Sequence, residues 1–452
     1  MIEQNSKNIN IHEITRLILA AKEKAMKETE STPEPGLTGL IKWPVTCLVG
    51  PGLEGAISCE TKVGYVNGAK GWLIYRGYDI FDLCAYSTFE EVSYLLLFGE
   101  LPSKEALDVF KKKLIDYRSI INTQRFLMSF ALEEMNTMAA MRMGVNFMRQ
   151  EFSYKGARAE NKVVIGSDED SIAMETTPRG EERAIYEFAR EEDEKERELE
   201  MCYHLIGGVP AIAATISRIR NGKLPIEPDP SLSHSANFLY MMTGIRPTPL
   251  EERIMDVCLI LHADHGMNAS TFAAMVVAST LSDFYFSIGS GIAALNGPLH
   301  GGANEQVMNM LKEISSPENV KSWLQDKIDK KARVMGFGHR VYKAYDPRAR
   351  VLGPLAEYLA SFSDAETQKL FQTAKVLEQE VITAFGAKKG IFPNVDFYSG
   401  IVYSCLGIQA ELFTPIFAVS RVAGWTSRVL EYLKNNRIFR PRAMYVGDFA
   451  KE

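Results

Sequence analysis

Of the seven histidines in 452 residues, two are framed by glycine. His300 stands in Asn296-Gly-Pro-Leu-His300-Gly-Gly-Ala-Asn304, and His339 in Gly336-Phe-Gly-His339-Arg340. A structural imidazole has no use for glycine on both sides. One that meets a small molecule does, because glycine lets backbone and ligand approach closely. With the carboxylate of Asp396, in Phe392-Pro-Asn-Val-Asp396, the set points to acid–base chemistry on a small molecule.

Each residue implies a different part of that chemistry. The stretch after His300 reads as the first turns of a helix, whose N-terminal field disfavours imidazolium. His300 is therefore expected to stay neutral and donate a hydrogen bond to a developing oxyanion. Around His339, glycines two apart expose backbone amides, and Arg333, Arg340, Lys343 and Arg348 give a positive rim suited to phosphate or carboxylate. Arg348, Arg421 and Arg440 are candidate carboxylate clamps, with an internal salt bridge as the alternative for each. Arg421 is the most pointed of them, being set in an apolar helix where an unpaired cation is costly. Arg348 follows Asp346-Pro347, which reads as a loop signal. Asp396 lies among apolar and aromatic neighbours, whose dehydrating effect raises its basicity. His262-Ala-Asp-His265 offers two imidazoles three apart. Substrate contact is the favoured reading there, ahead of packing and of a metal site, since helical zinc pairs are usually spaced by four.

The elements that must position these groups read as almost entirely helical. Ile14 to Lys27, Phe89 to Phe98 behind Ser87-Thr88, Met255 to Leu281 as one long apolar stretch, and Ser420 to Asn435 all carry helical spacing. Ile57 to Val66, Asn67-Gly68 and Trp72 to Tyr75 read as a β-hairpin. No apolar run is read as approaching the roughly 20 residues of a membrane helix. The first residues lack the order of a secretory signal, so a cytoplasmic protein is expected. Six scattered cysteines without a Cys-x-x-Cys pair argue against a zinc ribbon or a disulfide scaffold. With 51 basic and 57 acidic residues the net charge is −6, which offers nucleic acid no general attraction. The stretch 150–200 is polar. Between Glu181 and Glu200 it holds ten acidic and four basic residues, and it reads as a solvated insertion or an exposed helix.

Taken in order, these segments resemble the citrate synthase family from about Gly52 to Gly447. The most specific are Leu261-His-Ala-Asp-His-Gly-Met-Asn-Ala-Ser270, Asn296 to Glu305, Gly336-Phe-Gly-His-Arg-Val-Tyr-Lys343 with Asp346-Pro-Arg348, and Pro393-Asn-Val-Asp396. Supporting segments are Tyr75 to Ile80, Leu232 to Leu239 and Arg440-Pro-Arg442.

The resemblance implies an all-α homodimer with a small N-terminal hairpin. Its large domain would span 36–301 and 411–452 after an N-terminal helical segment at 1–35, and its small domain 302–410. Condensation of acetyl-CoA with oxaloacetate is implied, with no cofactor and no metal. Asp396 would be the base, His300 the donor to the thioester oxygen, and His339 the group that polarises the ketone. Oxaloacetate would meet His265, Arg348, Arg421 and the partner subunit's Arg440; CoA would meet Arg333, Met335, Gly336, Phe337, Gly338 and Lys343. Lack of the extra N-terminal domain of NADH-inhibited hexameric members favours a dimer. The nearest rival is 2-methylcitrate synthase, which uses propionyl-CoA. A metal-dependent hydrolase built on His262 and His265 is the alternative from another class.

Overall fold

The structure, a computed structural model, describes residues 11–34, 38–157 and 191–447. It is mainly helical with one small sheet. The sheet is antiparallel in the order β1 (Gly64–Asn67), β2 (Trp72–Tyr75), β3 (Tyr78–Asp79), with Gly64 opposite Tyr75 and Asn67 opposite Trp72. The Asn67 side chain closes the turn by accepting from the Lys70 N–H at 3.1 Å.

Helix α1 (Ile11–Glu28) buries Ile14, Ile18 and Ala21 against α2 (Ile80–Tyr86). Thr88 opens α3 (Phe89–Phe98) with a capping box to Glu91, satisfying two otherwise orphaned N–H groups. Helices α4 (Lys104–Asp116), α5 (Ile121–Met128) and α6 (Thr137–Ala157) pack around α7 (Glu191–Arg220). Within α7, 195–220 does reach membrane-spanning length and hydropathy, contrary to the reading above. Since 83% of its apolar window is buried among the other helices, it is placed as a core helix. Of the acidic stretch, 158–190 lies outside the described residues. Residues 191–200 are the first turns of α7, and Glu200 pairs with Lys113 at 2.6 Å while accepting from the Tyr117 hydroxyl.

The stretch from Met255 to Leu281 is not one helix. After α8 (His234–Thr243), α9 (Pro249–His262) stops and α10 (Ala269–Ala278) starts again from the Asn268 cap. The break at 263–268 is stabilised from both sides. The Tyr75 hydroxyl donates to the Asp264 carbonyl at 2.8 Å and accepts from the Asp264 N–H at 3.1 Å. The Asp264 carboxylate accepts from Gly266 N–H at 3.2 Å, where the chain turns through positive φ. A long apolar run concealed a break made by side chains remote in sequence.

Beyond α11 (Phe284–Leu295), residues 303–405 form a block of helices packed on one another. They are α12 (Ala303–Ile314), α13 (Val320–Asp329), α14 (Pro347–Ala360), α15 (Ala365–Val381) and α16 (Val395–Cys405). The chain then returns through α17 (Phe413–Leu433), an almost wholly buried helix lying against α7, α9 and α10. The Asp-Pro pair before Arg348 is a helix start and not a loop. Asp346 caps α14 by accepting from Arg348 N–H at 2.9 Å, and Pro347 fills the first helical position, where no N–H is needed.

Candidate active site

A cleft of about 2880 Å³ separates the 303–405 block from the helices around α17. His265, His300, Arg421 and Arg428 line it on one side. Arg333 to His339, Arg348 and Asp396 line it on the other. The walls meet at one end, where the His265 and His339 ring centres are 5.2 Å apart and the Tyr342 hydroxyl lies 3.2 Å from His265 Nε2.

All three imidazoles are neutral, chiefly because burial penalises the charged form. His300 and His339 are each pushed down to about 4, and His265 falls well below its ordinary value. Nearby cations add to this: Arg421 for His300, and Arg348 for His265 and His339. Hydrogen bonds then fix which nitrogen carries the proton. His339 Nδ1 accepts from the N–H groups of Val341 and Tyr342 at 3.0 and 3.2 Å, so the proton is on Nε2. His300 Nε2 is the acceptor for the buried Ser270 N–H at 3.3 Å, which an adjacent helix start would otherwise leave unpaired. The Ser270 hydroxyl lies 2.8 Å from the same nitrogen; because the backbone N–H can only donate to Nε2, the proton is assigned to Nδ1. The helix that matters here is α10, which supplies that N–H, more than α12, which follows His300 in sequence.

Asp396 sits at the start of α16, where Asn394 caps the helix by accepting from its N–H at 3.0 Å. Its carboxyl is pushed up to about 7, first by burial, against the pull of Arg348 and Arg421. Oδ1 is buried without a hydrogen-bond partner among the described residues. The glycine loop is zipped to the segment before this helix: Gly338 N–H donates to Phe392 O at 2.9 Å, and Asn394 N–H donates to Gly336 O at 2.9 Å. Gly336 and Gly338 both have φ near +78° and +77°. A Cβ at Gly336 would lie 2.7 Å from Val307 and 2.9 Å from the Phe397 ring, so contact between loop and helix requires glycine there.

The arginines divide by partnership. Arg348 is held bidentately by Asp346, at 3.0 and 2.7 Å, which realises the internal salt bridge while leaving the guanidinium at the cleft wall. Among the described residues Arg421 has no carboxylate partner. Its Nε donates to the His262 carbonyl at 2.6 Å, one terminal nitrogen is buried without a partner, and burial draws it down to about 10. It remains a cation at neutral pH, in want of an anion.

One expectation is corrected. His262 does not reach the cleft: it is buried, donates from Nδ1 to Cys258 O at 2.8 Å, and packs against Phe417. Lys343 is exposed and outside the cleft lining, and its backbone N–H is tied to Gly68 O at 2.9 Å. Arg440 is likewise exposed and outside the lining of this chain's cleft. Among the described residues no group of three or more His, Cys, Asp or Glu is arranged to hold a metal. Sequence reasoning also missed Ser270, Asn394 and the fully buried Arg428–Asp264 pair, bidentate at 2.7 Å, which anchors the turn next to His265. Arg428 had a signal, being seven residues beyond Arg421 and so on the same face of an apolar helix.

Fold and site together define a helical protein with an acid–base cleft built to receive an anionic small molecule. The chain belongs to the citrate synthase family: the family model for the citrate synthase C-terminal domain matches residues 52–442. A citrate synthase of Acidithiobacillus ferridurans is 41% identical over 403 residues, covering 88% of this chain and 95% of that one. The crystal structure of citrate synthase from Pyrobaculum aerophilum superposes with a TM-score of 0.77 at 40% identity, covering 92% and 98% of the two chains. The Thermoplasma acidophilum enzyme, solved as a ternary complex with carboxymethyl coenzyme A and oxaloacetate, gives 0.76 at 34% identity, covering 90% and 98%.

Proposed function

We propose that this chain condenses acetyl-CoA with oxaloacetate and hydrolyses the resulting citryl thioester to citrate and CoA, an acyl group becoming an alkyl group on transfer. Asp396 removes a proton from the acetyl methyl group. His300 donates its Nδ1–H to the thioester oxygen as negative charge develops there. The carbon nucleophile attacks the oxaloacetate ketone, whose oxygen takes the proton of His339 Nε2. Water then cleaves the thioester and the CoA thiol leaves. A thioester α-proton is far too weakly acidic for a carboxylate alone. A fixed neutral donor such as His300 is worth about 3 kcal/mol in such a step.

Oxaloacetate is held by His265, Arg348 and Arg421, and the unpaired guanidinium of Arg421 gives a carboxylate its natural seat. Arg333, Met335, Gly336, Phe337 and Gly338 at the cleft receive CoA. Arg440 completes the oxaloacetate site of a second copy in a homodimer. Exposed apolar side chains support such a contact: Leu40, Leu48, Met444 and Val446 lie on the segments flanking the matched core. The 303–405 block serves as the small domain that closes on the larger one, and the enzyme works in the cytoplasm.

The observation that carries this reading is one cleft lined both by a carboxyl poised near neutrality and by two neutral imidazoles of fixed tautomer. Asp396→Asn tests it. Turnover falls about 10²- to 10⁴-fold while oxaloacetate still raises the melting temperature. Turnover close to the parent's would remove Asp396 from the mechanism.

A further inference from the structure

Glu378, on α15, lies outside the cleft lining and has no part in the chemistry above. Each of its carboxylate oxygens accepts a different tyrosine hydroxyl: Oε1 that of Tyr345 and Oε2 that of Tyr398. Tyr345 lies between His339 and Arg348, just before the Asp346 cap. Tyr398 is two residues beyond Asp396 on α16. A single carboxylate thus ties the segment carrying the ketone-polarising group to the helix carrying the base.

The surroundings give this tie little slack. The Arg350 guanidinium stacks 4.4 Å over the Tyr345 ring, and the Tyr345 carbonyl packs against the hairpin turn at Gly71. The Tyr398 ring lies against Phe397, 4.9 Å between centres, and against the Gly353 backbone of α14. Burial pushes both phenols well above their ordinary values, so they remain neutral donors across the working pH range.

We propose that Glu378 is a positioning residue, acting through Tyr345 and Tyr398 to set the placement of His339 relative to Asp396. The inference rests on the catalytic reading above and adds to it a residue that touches no substrate. An ångström of misplacement in such a site costs about a hundredfold in rate, whereas losing a hydrogen bond at a remote structural site costs no chemistry.

The test is kinetic. Glu378→Leu, Glu378→Gln, Tyr345→Phe and Tyr398→Phe are compared with the parent for kcat, for oxaloacetate KM, and for the rate ratio between ordinary and methyl-deuterated acetyl-CoA. Glu378→Leu is expected to lower kcat about tenfold to a hundredfold. Its oxaloacetate KM stays close to the parent's, and the isotope ratio rises as proton removal becomes slower. Glu378→Gln, which keeps one acceptor oxygen, recovers part of the loss. In the Glu378→Leu background the tyrosine changes have no further effect. Should Glu378→Leu lose melting temperature but keep the parent's kcat and isotope ratio, or should the tyrosine effects simply add to it, the positioning role is overturned. The tyrosine variants, which remove one hydroxyl each, decide the matter if the leucine variant does not fold. A parent enzyme that releases no thiol in the presence of oxaloacetate would instead overturn the catalytic reading, and this inference with it.

Discussion

Asp396 carries opposite consequences for rate and for stability. As a base it must be ionised, so kcat/KM for acetyl-CoA should rise with pH along a single acid limb centred near 7. His300 and His339, at about 4, add no limb in that range. A limb near 4 in the measured profile would contradict the burial argument. For stability, the folded carboxyl keeps its proton up to about 7, whereas the unfolded one loses it near 4. The folded state therefore binds more protons between those values, and stability falls as pH rises from the lower to the higher, by about 1.4 kcal/mol for each pH step of one. Asp396→Asn should thus melt above the parent at pH 8, with that advantage gone at pH 4; an advantage that does not change with pH would refute the raised carboxyl. Much at this scale was legible. Glycine framing singled out His300 and His339, and an apolar setting foretold the raised carboxyl of Asp396. What sequence could not supply were the tautomers, because the nitrogens are fixed by backbone N–H groups at Ser270, Val341 and Tyr342, two of them next to His339 and one far away.

Breaks and caps do most of the positioning at the scale of elements. His265 reaches the cleft because α9 ends at His262, and the turn that ends it depends on Tyr75 and on the Asp264–Arg428 pair. Helix α17 can lie against that turn only because residue 424 is glycine: a Cβ there would come 2.2 Å from the Ala263 carbonyl oxygen. Removing one member of a buried ion pair strands the other, at a cost of about 3–5 kcal/mol. Arg428→Leu should therefore destabilise by that order in a denaturant titration and raise the oxaloacetate KM through a displaced His265. Asp264→Asn combined with Arg428→Leu should recover much of the stability. A single variant as stable as the parent would show that the pair does not hold the turn. This is also where the sequence was least legible. Period and apolarity describe a helix face, but Met255 to Leu281 is interrupted by partners from the hairpin and from α17. Capping was easier to read at Thr88, where the box lies within four residues, than at Asp346, whose proline resembled a loop.

At the scale of the whole molecule, α1 spans the cleft's two sides outside the matched family core. It packs on α2 and on α14, which bears Arg348. Lys22 bonds to Asp82 at 2.6 Å at one point, and Glu28 pairs with Arg350 at the other end. Deleting residues 1–28 should lower the melting temperature and raise the oxaloacetate KM, because both walls lose a shared support; unchanged values would make the helix an ornament of the fold. Composition had announced an acidic globular chain, apolar spacing a helical one, the glycine-framed histidines an enzyme, and the order of motifs led to the family. The contact between the ends of the chain and the block at 303–405 had no local signature. The most direct test of the account is thiol release from acetyl-CoA and propionyl-CoA, each with and without oxaloacetate. Release is expected to require oxaloacetate and to be faster with acetyl-CoA. Release without oxaloacetate, or none with either thioester, would contradict it.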